Sequence, residues 1–490
     1  MKHDKIVALL AGAATSFSFA PYELWWLAIL APAFWLAITL DKTPEQAFRR
    51  GWLFGVGLMA PGLYWVHHSM SAYADTPYAI AVAVALLLAL TMALYYGLAG
   101  HLSARWTLSH SSRARLLMMV ALFGLGEWLR SWLFSGFPWL LLGYSQIDTP
   151  LGAYAPVGGV WLVSLLTMVC AALLVSMTRP GVTPRSISIL LLLAIGAGGY
   201  QLSGMQWTHK KGDPIRVSMI QGNIPQDEKW LPENRLPTLA FYSDTTLELL
   251  DSELVIWPES AIPDFLFSVE RELIEPLNAK LVESSTTLVT GVLTYPAEAT
   301  YYNTILATGR ERHFYHKRHL VPFGEYFPLG WLWKGWISGL ATMGEDFSEG
   351  QAQRPLMQVG SHLAGVSICY EIIFPEEVRE SLPDADFLIN LSNDGWFGTT
   401  SGPLQHYQMA RMRSLENGRM TLRSTNTGVT AVIGLDGQTI KQLPQFTRGV
   451  LTAEVQPYQG MTPYSRFGIY PAAALVLLLL LAARLSGRGN

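Results

Sequence analysis

A cysteine that closes an apolar run and opens onto a polar turn stands where a nucleophile is needed. Cys369 does this: it ends Gly365-Val366-Ser367-Ile368 and precedes Tyr370-Glu371. Taken alone, such a residue is more often a small piece of core. A reactive cysteine also needs a base or a positive neighbour, because the thiolate is the attacking form. His313, His316, His319, His362 and His406 lie in no Cys-His motif and read as surface or supporting residues. Two other segments offer better partners. Trp257-Pro258-Glu259 sets a carboxylate directly after a buried apolar run, and Lys317 and Glu325 flank a rigid Pro322-Phe323-Gly324 turn. A glutamate can take the thiol proton, and a lysine can stabilise the oxyanion of a tetrahedral intermediate. The one other cysteine, Cys170, sits in a long apolar run, so a disulfide framework is excluded and Cys369 is left as an unpaired thiol.

These residues need a scaffold, and the sequence from about residue 204 supplies one. Short apolar runs alternate there with turns and helical stretches. Strands are predicted at 215–220, 254–257, 288–293, 303–308, 365–369, 387–391 and 429–433. Helices are predicted at 232–250, 269–282, 376–382 and 403–416. Strands alternating with helices imply a layered α/β domain, with bounds 204–466.

The rest of the chain is different in kind. Half of the 490 residues are apolar and only 14% are charged, which points to a membrane protein. A net charge of -3 without a clustered basic face argues against nucleic-acid binding. Eight stretches approach the length of a bilayer-crossing helix: 5–21, 24–40, 52–70, 78–100, 115–134, 157–177, 186–203 and 467–484. The first is not a removable leader, because the second begins almost at once after Pro21-Tyr22-Glu23. Lys2, Lys5, Lys42, Arg49, Arg50, Arg105, Arg113, Arg115, Arg179, Arg185, Arg484 and Arg488 all fall on one side of an eight-span arrangement. By the positive-inside rule both termini are cytoplasmic and 204–466 lies on the far face, the periplasm in a diderm bacterium. The expected division is 1–203 for seven spans, 204–466 for the catalytic domain and 467–490 for the eighth span and tail. Within the fifth span, Glu127 and Arg130 share a helix face, as an ion pair, a snorkelling arginine or a functional pair. The nearly uncharged, aromatic loop 131–156 is expected against lipid headgroups. An arm over 327–344, with Trp331, Trp333 and Trp336, is expected to dip into the interface.

In chain order, Glu259 in Trp-Pro-Glu, Lys317 ahead of Leu320-Val321-Pro322-Phe323-Gly324-Glu325, and Cys369 in Cys-Tyr-Glu resemble the Glu-Lys-Cys triad of the nitrilase superfamily. The resemblance spans about 213–455, and Asn303 in Tyr302-Asn303-Thr304 fits the superfamily's strand pattern. It implies a four-layer α-β-β-α sandwich. Such a domain between the seventh and eighth of eight membrane helices is similar to the apolipoprotein N-acyltransferase family over nearly the whole chain. That resemblance implies a fold of a helical membrane bundle plus the sandwich. It implies ping-pong transfer of an acyl chain from a glycerophospholipid, typically phosphatidylethanolamine, through a thioester on Cys369. The acceptor would be the N-terminal amine of a diacylglyceryl-cysteine lipoprotein, with neither metal nor soluble cofactor. Glu325 then resembles a second carboxylate that orients the lysine. Tyr370 and Glu371 follow the nucleophile as in the family, and Trp230 matches an aromatic position near substrate. Asn393-Asp394-Gly395-Trp396-Phe397-Gly398 reads as a turn near the cleft with no assigned chemistry. The rival readings are a membrane-anchored amidase with water as acceptor, and a transporter with an accessory domain. The second is disfavoured because the strongest intramembrane charges are largely confined to one span.

Overall fold

Apolar helices and alternating strands segregate in space as they do along the chain. A computed structural model describes residues 2–108, 110–179, 183–297, 300–328, 347–351 and 354–486. One unit holds 1–207, 399–416 and 462–490, and the other holds 208–398 and 417–461.

The first unit is helical. Each of the eight expected stretches carries a helix: Lys2–Ser16, Leu27–Thr39, Pro44–Gly62, Tyr78–Trp106, Ser112–Arg130, Ala155–Thr178, Arg185–Ser203 and Tyr470–Leu485. Among the described residues, however, only three runs are both long and apolar enough to cross a bilayer: Tyr78–Trp106, Gly152–Thr178 and Arg185–Ser203. Leu27–Thr39 and Tyr470–Leu485 are apolar but shorter. Charge and capping account for others that fall short of the expected eight. Thr43 caps Pro44–Gly62, whose first turns hold Glu45, Arg49 and Arg50, and Ser111 caps Ser112–Arg130, which carries Arg113, Arg115, Glu127 and Arg130. Small residues let the helices approach closely, as is usual in membrane bundles. A Cβ on Gly57 would sit 2.1 Å from the Leu9 carbonyl oxygen.

One end of this unit is tied by polar contacts between segments far apart in sequence. Asp4 pairs with Arg50 at 2.6 Å and lies 3.6 Å from Lys42. Arg115 donates to the carbonyls of Leu40 and Lys42, Arg179 pairs with Asp41, and Ser111 donates to the carbonyl of Ser486. Glu127 and Arg130 both reach the loop that follows their helix. Both side chains are buried and turned onto backbone: Arg130 donates to the carbonyls of Phe137 and Trp139, and Glu127 accepts from Leu142 N at 2.8 Å. The loop 131–156 is therefore drawn inward, with Trp139, Leu141 and Tyr144 buried, and only parts such as Phe134 are exposed. Helix Gly402–Asn417, read from sequence as part of the α/β series, contributes 402–416 to this unit. Its Glu416 accepts from Val160 N at 2.7 Å where Gly158 and Gly159 break the helix Ala155–Thr178. The arm residues Trp331, Trp333 and Trp336 lie outside the described residues.

The second unit is built on two six-stranded sheets. In chain order its strands are β1 (Thr208–Lys210), β2 (Ile215–Gln221), β3 (Leu254–Ile256), β4 (Thr287–Ala297), β5 (Thr300–Thr308), β6 (His313–His316) and β7 (Leu356–Val359). Then follow β8 (His362–Ile368), β9 (Phe387–Ser392), β10 (Thr421–Thr425), β11 (Ala431–Ile433), β12 (Thr439–Gln442), β13 (Gly449–Val455) and β14 (Tyr458–Gly460). One sheet runs β13-β2-β3-β4-β5-β6, the other β12-β11-β10-β9-β8-β7, and β1 pairs with β14. The centres are parallel, β2-β3-β4 in one sheet and β8-β9-β10 in the other. Buried parallel strands read as unbroken apolar runs, which suits β3 and much of β9. The inner faces share a core that includes Val217, Met219, Ile256, Val289, Val366, Ile368, Ile389 and Leu422. The outer face of the first sheet packs Ile220, Val255, Trp257 and Leu306 with Tyr242 of helix Pro232–Leu247 and with Leu277 and Leu281 of helix Glu275–Ser284.

Candidate active site

Ligands of α/β sheets collect beyond the carboxyl ends of parallel strands, and Glu259 after β3 and Cys369 after β8 follow that rule, whereas Lys317 follows the antiparallel strand β6. Glu259 comes three residues after β3 and is buried. Its turn is held against β4 because position 291 has no side chain: a Cβ on Gly291 would lie 2.4 Å from Ser260 N and 2.7 Å from Glu259 Cα. Ser260 itself has a positive φ of 48°. Lys317 follows β6 directly, and its N–H donates to the Asn303 carbonyl at 2.9 Å, which extends the β5-β6 pairing by one step. Cys369 follows β8 and begins the 3-10 turn Cys369–Ile373, also at a φ of 48°. A non-glycine residue held there stores about 1–3 kcal/mol of strain and is characteristic of functional turns.

The side chains form one hydrogen-bonded set. Lys317 Nζ lies 2.7 Å from Glu325 Oε1 and 3.9 Å from Glu259 Oε1. Asn303 Nδ2 donates to Glu259 Oε1 at 2.8 Å and to Glu325 Oε1 at 3.4 Å. Glu325 Oε2 accepts from Val321 N at 2.8 Å, which folds the Pro-Phe-Gly turn around its own carboxylate. Glu371 ties the lysine segment to the cysteine turn. Its Oε1 accepts from Tyr315 Oη, Arg318 N and His319 N, and its Oε2 accepts from Ile368 N at 2.7 Å.

Electrostatics fix the resting state. Burial pushes the Cys369 thiol up to about 12, with Glu259 reinforcing the rise and Lys317 opposing it. The resting sulfur is therefore a thiol at neutral pH. Burial also raises Glu259 above the usual carboxylate range, against the pull of Lys317. For Lys317 burial would lower the value, but Glu325 and Glu259 outweigh it and hold the ammonium charged. A proton passed from Cys369 to Glu259 leaves the total charge of the buried set unchanged, whereas a proton lost to water would leave an extra anion in low dielectric.

Two family models cover most of the chain. Residues 11–173 match the apolipoprotein N-acyltransferase N-terminal domain, and residues 216–462 match carbon-nitrogen hydrolase. The apolipoprotein N-acyltransferase of Methylococcus capsulatus is 40% identical over 96% of this chain and 94% of its own length. Those of Pseudomonas putida (40%, 99% and 97%) and Vibrio parahaemolyticus (37%, 98% and 96%) match as fully. The chain belongs to the apolipoprotein N-acyltransferase family. Among solved structures, an amidase from Nesterenkonia sp. aligns over 54% of this chain and 97% of its own, at 16% identity and a TM-score of 0.39.

In this N-acyltransferase family member, Glu259, Lys317, Glu325 and Asn303 are joined directly, and Glu371 is joined to them through the Tyr315–His319 backbone and side chains. Tyr370 instead packs edge-on against His319 and Phe374. Trp230 is about half exposed, at the end of the turn 225–231. The histidines are engaged elsewhere: His316 with Thr304, His319 with Glu377, His362 with Asp386 and His313 with Glu311. Sequence reasoning assigned no chemistry to Lys229, whose Nζ donates to the Glu259 carbonyl at 3.2 Å. It also left Asp394 unassigned, which forms a buried pair with Arg423 at 2.9 Å and accepts from Ser392 Oγ. An arginine inside a strand was the available signal for the second. For Lys229 a lone lysine beside a tryptophan gave none.

Proposed function

We propose that this membrane-associated enzyme transfers an acyl chain from a glycerophospholipid, by way of a thioester on Cys369, to the N-terminal amine of a diacylglyceryl-cysteine lipoprotein. In the first half-reaction Cys369 Sγ attacks the ester carbonyl carbon as its proton passes to Glu259. Lys317, oriented by Glu325, stabilises the oxyanion. Collapse breaks the carbon–oxygen bond, the leaving alkoxide takes the proton from Glu259, and a lysophospholipid departs. In the second half-reaction the amine attacks the thioester carbonyl and yields its proton to Glu259. Collapse breaks the carbon–sulfur bond, and Sγ regains the proton. Each carboxylate and ammonium ends as it began, so neither metal nor cofactor enters the scheme.

The observation that carries this reading is the convergence of Glu259, Asn303, Glu325 and Lys317 in one buried set, with Glu371 tying the lysine segment to the turn that begins at Cys369, in a chain of this family. We also infer eight crossings with both termini cytoplasmic and 204–466 periplasmic in the inner membrane. In support, the segments expected on the cytoplasmic face, around Asp4, Lys42, Arg115, Arg179 and Ser486, hydrogen-bond to one another at one end of the helical unit. The test supplies purified enzyme with phosphatidylethanolamine and a diacylated lipopeptide and resolves the products by mass spectrometry. An N-acylated lipopeptide is the expected product. Free fatty acid with unmodified lipopeptide would instead identify a hydrolase that uses water as acceptor.

A further inference from the structure

We propose that Lys229 is a positioning residue for Glu259, anchoring its backbone and keeping its carboxylate ionised for the first proton transfer. This rests on the reading of Glu259 as the base. Lys229 is only 2% exposed. Among the described residues its one hydrogen-bond acceptor is the Glu259 carbonyl, at 3.2 Å, with the Trp230 ring at 6.0 Å. A buried ammonium normally meets a carboxylate directly, because a carbonyl dipole cannot neutralise it. Its charge therefore acts on the Glu259 carboxylate, which lies on the same residue as the carbonyl it binds. Burial lowers Lys229 to about 8 and Glu259 works against that fall, so the lysine remains largely charged at neutral pH.

The segment that carries Lys229 is itself pinned. Gln226 Oε1 accepts from Asn393 Nδ2 at 2.7 Å, and Glu228 N and Leu231 N close turns onto Pro225 and Glu228. The turn after β3 is thus braced from two sides. Asn303 and Lys317 approach the Glu259 carboxylate, while Lys229 holds its main chain just before Ser260, the residue with positive φ. The charged groups that act on Glu259 are Lys317, Glu325 and Lys229. With Lys229 and Lys317 against Glu259 and Glu325, the set is balanced. Removing the first lysine leaves two carboxylates sharing one ammonium, and Glu259 then holds its proton to higher pH.

The experiment measures single-turnover acylation by phosphatidylethanolamine across pH in the full-length wild type, Lys229→Met, Lys229→Gln and Glu259→Gln. Loss of the charge should move the acid limb up by about one pH unit in both lysine variants. The rate should fall roughly ten- to hundredfold in Lys229→Met and less in Lys229→Gln, which keeps a donor for the carbonyl. KM for the phospholipid should hold. Should Lys229→Met fail to fold, Lys229→Gln carries the same limb measurement. A wild-type acid limb in either folded variant overturns the inference, even where the rate falls. Full acylation by Glu259→Gln overturns the base assignment itself, a separate outcome.

Discussion

Cys369 combines a strained backbone with a thiol that holds its proton, so the attack proposed for it would draw on its neighbours. Alkylation tests this directly. Only the thiolate reacts with iodoacetamide, so the rate in the substrate-free enzyme should keep climbing about tenfold per pH unit through pH 9. A plateau by pH 7 would mean a preformed thiolate and would contradict the proton transfer to Glu259. The sign follows from the raised value: the fraction of thiolate grows with pH until about 12. At this scale the strand-end placement of Glu259, Lys317 and Cys369 was legible in the sequence, and their proposed roles rest on that placement. The sequence was silent on Glu371's four donors, because those lie in β6, in the segment after it and at the end of β8, more than 50 residues apart for most of them.

At the scale of elements, the turn that presents Glu259 depends on a side chain that is missing. Gly291→Ala would place a methyl against Ser260 N and Glu259 Cα, both backbone, so the turn itself must move. Overpacking of this kind costs about 1–3 kcal/mol of stability. The larger effect should be on acylation, which should fall roughly a hundredfold because a displacement near 1 Å misplaces the proposed base. A folded Gly291→Ala enzyme with the wild-type acylation rate would show that the turn is not set by this contact. Central strands were readable where burial on both faces leaves an apolar run, as in β3 and β9, but β10, Thr-Leu-Arg-Ser-Thr, was missed because it is buried yet mostly polar. The edges were not readable. β12 is exposed throughout and β13 alternates weakly, so neither rises above the surrounding polar sequence. Helix Gly402–Asn417 was readable as a helix, but its membership of the membrane unit was hidden. Its anchors are polar side chains, Gln405 between Trp65 and Trp139 and Glu416 at Val160, rather than an apolar stripe.

For the whole molecule, composition announced a membrane protein with an α/β insert, and hydropathy overcounted what single helices satisfy. Five of the eight stretches fall short in length or carry charge, yet they fold into one helical unit with the three long spans. Glu127, Arg130, Arg413 and Glu416 are buried inside that unit, where Glu127, Arg130 and Glu416 bind backbone groups and Arg413 and Glu416 bind each other. Sequence could place those charges but not their partners, which lie on loops and helices distant along the chain. The account as a whole requires lipid-derived carbon on one sulfur. Purified enzyme incubated with phosphatidylethanolamine of a single acyl composition, without acceptor, should gain one acyl mass, located by peptide mapping on Cys369 and absent from Cys369→Ala. No adduct on the wild type, or the same adduct on Cys369→Ala, would contradict it.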